Sequence, residues 1–101
     1  MSVSISEAAP GRVVVTGELT FATAREAREA GTRLLEGSGA RQFVIDCAGV
    51  ERADSAGLAV LLDWKSWARR KSRPVTFENL PPSLVAIAKI SEVDGLLAAT
   101  A

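Results

Sequence analysis

A chain of 101 residues with 48% hydrophobic and 24% charged side chains has the composition of a single globular domain with its own core, expected here over residues 1–101. Twelve basic and twelve acidic residues cancel, which leaves no net field for phosphate backbones or anionic lipids and argues against nucleic-acid binding. With no histidine and only Cys47, the chain cannot build a histidine-activated nucleophile, an internal disulfide or a multi-cysteine metal centre.

The first segment, SVSIS (2–6), alternates polar and apolar residues and reads as a short edge strand. Pro10-Gly11 marks a turn, and the valine-rich RVVVTGEL (12–19) is a second strand and hairpin partner of the first. TFATAREAREAGTRLLEG (20–37) reads as a helix. Thr23 with Glu26 has the spacing of a capping box, and Thr20 is the alternative cap. Ala24, Ala27, Gly31 and Leu34 share one face, and their small size implies close packing on a sheet. Gly37-Ser38-Gly39 is a suitable stop.

QFVID (42–46) has the pattern of a buried strand, and CAGVERAD (47–54) reads as a loop. A second helix is expected from Ser55 to about Lys71, then a strand over PVTFENL (74–80). SLVAIAKI (83–90) is a short third helix, and SEVDGLLAATA reads as one or two further helical turns. The order β-β-α-β-α-β-α-(α) predicts an α/β fold: a mixed, largely parallel sheet of about four strands packed with three to four helices.

The second helix carries the most information. At about 100° per residue, Gly57, Val60, Leu61, Trp64, Trp67 and Ala68 gather on one face, where the tryptophans are expected to cover the sheet. Leu58 and Leu62 fall outside that face and form a ridge with Ser55 at i, i+3, i+7. Either the third helix covers them or they form a docking surface with Ser55 at its end. Asp54 is placed to accept N–H bonds from the first turn, which leaves the Ser55 hydroxyl free. Gly57 would let another chain approach the first turn closely.

No G-x-G-x-x-G and no glycine loop followed by lysine is present, so neither a phosphate cradle nor any cofactor or metal is expected, and catalysis is not. The N-terminus lacks a basic segment followed by an apolar stretch, and no apolar run reaches the roughly 20 residues of a bilayer span, so a cytoplasmic location without direct membrane insertion is expected.

VIDCAGVERADSAGLAVLLDWKSWARR resembles the signature of the STAS domain (sulfate transporter and anti-sigma-factor antagonist). Asp46, Val50, Asp54, Ser55, Gly57 and Leu58 match it in order, and VVVTGELTFATA is similar to the upstream strand and turn. Thr20 departs from the Asp that many anti-sigma-factor antagonists carry after Gly-Glu-Leu. The resemblance implies a non-catalytic interaction module. GLAVLLDWKSWARRKSRPVTFENLP and LVAIAKISEVDGLL are similar to the MlaB-like branch, a stand-alone subunit on the ATPase of a bacterial phospholipid ABC transporter that maintains outer-membrane lipid asymmetry. That branch implies docking on the ATPase and its permease through Ser55, supported by Asp54, Ala56, Gly57, Leu58, Ala59 and Leu62, peripherally at the inner membrane. The alternative branch implies an anti-sigma-factor antagonist whose Ser55 is phosphorylated by a partner kinase.

Overall fold

The computed structural model describes residues 2–98. Its elements run β1 (Val3–Ala9), β2 (Arg12–Leu19), α1 (Ala24–Gly37), β3 (Phe43–Ala53), α2 (Ser55–Lys71), β4 (Val75–Glu78), α3 (Pro82–Ile90) and α4 (Asp94–Ala98). The expected element order stands, and the strands form one sheet in the order β1-β2-β3-β4. β1 and β2 pair antiparallel, whereas β2–β3 and β3–β4 pair parallel, each through a helical crossover. The result is a mixed, largely parallel sheet with four helices. The tail of the last expected helical segment, residues 99–101, lies outside the described residues.

Period-two burial shows why these sequences form strands. Val13 and Val15 of β2, Phe43, Ile45 and Cys47 of β3, and Val75 of β4 all point into the core, where α2 crosses the sheet. The alternate residues Val14, Val44, Asp46 and Thr76 turn to the other face and stay half-buried, and Thr16 is exposed there. Trp64 and Trp67 are buried in the core, as the helical pattern predicts. Gly31 of α1 exists for one of them: a Cβ there would overlap the Trp64 indole, so only glycine lets α1 and α2 close around that ring.

The main differences from the sequence expectation have local reasons. α1 begins at Ala24 with Thr23 at the N-cap position, but the Thr23 side chain does not cap the first turn. The Thr23 hydroxyl instead donates to the Glu18 carbonyl (2.7 Å) and accepts from the Thr20 N–H (3.1 Å), tying residues 20–23 into a turn. Leu35 takes the fully buried position on α1, with Leu34 half-buried beside it. The largest difference is in CAGVERA, which is strand and not loop. β3 continues to Ala53 by pairing Gly49, Val50, Arg52 and Ala53 with Thr16, Gly17, Glu18 and Leu19, and register shifts absorb the irregular spacing.

At the far end of α2, Ser72 adopts left-handed backbone (φ 54°) and ends the helix, and the Arg73 N–H returns to the Ala68 carbonyl. The Arg73 guanidinium then donates to the carbonyls of Ser38 and Ala40 and lies over the Phe43 and Trp67 rings. One side chain thus clamps the α1–β3 and α2–β4 connections together.

Candidate functional site

The extension of β3 decides how Ser55 is held. The strand pairs with β2 to its last residue, and the next residue, Asp54, donates its N–H to the Leu19 carbonyl (3.2 Å). α2 starts at once from that anchored point. Asp54 caps it as expected: one carboxylate oxygen accepts from the N–H groups of Ala56 (2.9 Å) and Gly57 (3.2 Å). The other oxygen accepts from the Phe21 N–H (3.0 Å), a contact the sequence did not foretell. A single carboxylate therefore fixes both the helix start and the β2–α1 turn.

With Asp54 acting as the cap, Ser55 is left exposed, and among the described residues its hydroxyl makes no hydrogen bond. Ala59, one turn on, is also exposed, and Ala56 is half-buried. Beside them stands Phe21, whose side chain is 86% exposed although its backbone is pinned to Asp54. Phe21, Ala24, Ala56 and Ala59 contribute to a shallow groove of about 340 Å³ between α1 and α2. An aromatic ring held out into solvent on fixed backbone, next to small residues that allow close approach, has the character of a binding anchor. Sequence periodicity passed over Phe21 because, within the helix expected over 20–37, it belongs to no apolar stripe; in the structure it precedes α1.

Three of the expected interface residues stand elsewhere. Leu58 is not exposed: it is 4% accessible and part of the core, because α3 packs against that flank of α2. Leu62 is half-buried and lines a different groove with Leu96 of α4, not the Ser55 end. Gly57 is buried, and the space a Cβ would occupy is filled by the chain's own Leu19 carbonyl, so the close approach it permits is that of β2 to α2 and not of another chain. The exposed residues of α2 are Ser55, Ala59, Asp63, Ser66, Arg69, Arg70 and Lys71.

Elsewhere the chemistry is quiet. Cys47 is fully buried, and burial pushes its thiol up to about 12 from an ordinary 9.0, with the Asp46 charge adding to the effect. Asp46 accepts from Asn79 (3.0 Å) and from the Ala48 N–H (2.9 Å), and its ion pair with Arg12 adds to these in holding its carboxyl below the usual range. Among the described residues no cluster of three or more metal-capable side chains occurs, and no helix is long and apolar enough to cross a membrane.

The family model described as "Mlab, STAS domain" matches residues 2–98, so the chain belongs to the STAS family. Its fold is similar to that of the unphosphorylated anti-sigma factor antagonist SpoIIAA, at 15% identity over 98% of this chain and 89% of that one, with a TM-score of 0.72. A Moorella thermoacetica RsbS variant matches at 22% identity, covering 100% of this chain and 86% of that chain, also with a TM-score of 0.72. A sulfate transporter family protein from Wolinella succinogenes matches at 13% identity over 86% and 70% of the two chains, with a TM-score of 0.66. No curated protein sequence matches the chain. STAS domains are generally interaction modules.

Proposed function

We propose that this chain is a non-catalytic accessory subunit that docks on the ATPase of a bacterial phospholipid-transport ABC transporter through the Ser55 end of α2. The carrying observation is the pair of exposed side chains, Ser55 and Phe21, held on rigid backbone by the single Asp54 carboxylate. Ala56 and Ala59 supply the flat floor beside them. Leu58 and Gly57 serve from beneath, by fixing α2 on the core and on β2. The MlaB-like family model over nearly the whole chain supports a transporter partner. Docking of this kind places the chain at the inner membrane through its partner. The test is mass spectrometry of proteins retained by the tagged chain from gently solubilised native cells. Recovery of an ABC ATPase with its permease is the expected result, and recovery of neither would overturn the assignment.

A second reading rests on the free Ser55 hydroxyl. A fold neighbour, SpoIIAA, is known in phosphorylated and unphosphorylated forms. A phosphate on Ser55 would bring about −1.5 to −2 charges to a helix N-terminus, but next to the Asp54 carboxylate. In that reading the chain is an anti-sigma-factor antagonist, the retained partner is a small kinase, and incubation with it and ATP adds one phosphate that Ser55→Ala abolishes.

A further inference from the structure

The neutral total conceals a segregated charge. Residues 64–77 contain five of the twelve cations (Lys65, Arg69, Arg70, Lys71 and Arg73) and none of the acidic residues, so the rest of the chain carries seven cations against twelve acids. These cations are not equivalent. Arg73 is committed to the Ser38 and Ala40 carbonyls, and Lys65 turns inward to the Val75 carbonyl. Arg69, Arg70 and Lys71 are exposed, and among the described residues none of the three is in a salt bridge. Arg70 bonds only the Ser66 hydroxyl (3.0 Å). Their place in the last turn of α2 complements the helix dipole, which accounts for a positive charge there but not for three.

The same arginines edge a concave surface. Leu62, Lys65, Ser66, Arg69 and Arg70 on α2 face Leu96 on α4 across a groove of about 360 Å³. Leu96 remains 48% exposed at its rim, and Leu62 is half-buried in its wall. We propose that this groove binds an acidic segment of a protein partner, with an apolar side chain seated between Leu62 and Leu96 and flanking carboxylates paired to Arg69 and Arg70. The charge of the groove selects carboxylates, and bidentate arginine pairing favours them geometrically. Its two leucines select an apolar side chain, which a nucleic-acid backbone does not offer, and its concavity suits a chain better than a flat lipid surface. The α2 residues of the groove lie 7 to 15 residues from Ser55, about 10–22 Å at 1.5 Å per residue, and none of them lines the Phe21 groove, so this assignment does not rest on the reading of the Ser55 end.

The test uses a short fluorescein-labelled peptide alternating Glu and Leu, with a Lys–Leu peptide of equal length as control. Anisotropy gives the affinity and amide shifts of the labelled protein locate the site. The Glu–Leu peptide is expected to shift the amides of Leu62, Ser66, Arg69, Arg70 and Leu96 and to bind more weakly as salt rises. The double variant Arg69→Gln with Arg70→Gln should weaken it about tenfold or more, and Leu96→Ala, which leaves the charges in place, should weaken it with an unchanged salt dependence. Equal binding of the Lys–Leu peptide, shifts confined to other surfaces, or an unchanged affinity in both variants would overturn the proposal. So would binding of anionic vesicles or duplex DNA through these arginines when the Glu–Leu peptide does not bind.

Discussion

At the scale of single residues, Asp54 is the hinge of the account. Its carboxylate meets three backbone N–H groups in two elements, which makes it more than an ordinary cap. Asp54→Ala should therefore lower stability by about 2 kcal/mol, at the upper end for lost caps, as read from denaturant midpoints. Gly57→Ala drives a methyl into the Leu19 carbonyl and should cost about 1–3 kcal/mol, the range for overpacking. Both effects are on the fold. Phe21→Ala acts on recognition instead: its exposed ring contributes nothing to the core, so melting should be unchanged while partner affinity falls by about 2 kcal/mol or more, roughly thirtyfold. Cys47 supplies a further check. Its buried thiol should resist an aromatic disulfide reagent in the native protein and react once denaturant unfolds the chain.

At the scale of elements, the sequence was most readable where a repeat ran unbroken. RVVVTGEL is rich in valine and is a strand with the expected ends, and the Trp64–Trp67–Ala68 face of α2 is buried as its period requires. Asp54 and Ser55 were legible because capping is a local rule. Readings failed where a neighbouring element decided the outcome. CAGVERA has the look of a loop, with its glycine and adjacent charges, yet β2 offers it a full strand to pair with, and Cys47 and Val50 fill the core beneath α2. Leu58 and Leu62 share an azimuth with Ser55, but only the packing of α3 and α4 decides which of them water reaches. Thr23 looked like a cap, and its hydroxyl was taken by Glu18 of the preceding strand. Arg73 belongs to this scale too. Arg73→Ala removes the tie between two connections and its cover on Phe43 and Trp67, and should destabilise by about 1–3 kcal/mol in thermal or chemical unfolding.

At the scale of the whole molecule, pH dependence follows from where the protons sit. Glu7 accepts from the Gly11 N–H (2.8 Å) and the Ser38 hydroxyl (2.7 Å), which holds its carboxyl below the ordinary 4.5, as Asn79, Ala48 and Arg12 hold Asp46 below the ordinary 3.8. Carboxyls depressed in the folded state stabilise it above their unfolded values, and that stability is lost as pH falls through the folded ones. Cys47 works at the other limit. With its folded value raised from 9.0 to about 12, the unfolded chain binds fewer protons between these limits, so stability declines as pH rises across them. The melting temperature should therefore be flat through neutrality, fall in acid below about pH 4.5, and fall again above about pH 9; Cys47→Ala should remove the thiol's part of the alkaline decline.

The same wholeness is what makes the proposed surface testable, because Ser55 can carry a charge without disturbing the core. The decisive measurement is the amount of ABC ATPase retained from native cells by tagged wild-type chain and by Ser55→Glu, each with a melting curve to establish that it is folded. The account predicts equal melting temperatures and a loss of most of the retained ATPase in the variant. Equal retention by a folded Ser55→Glu would contradict it, since the partner would then be docking somewhere other than the start of α2.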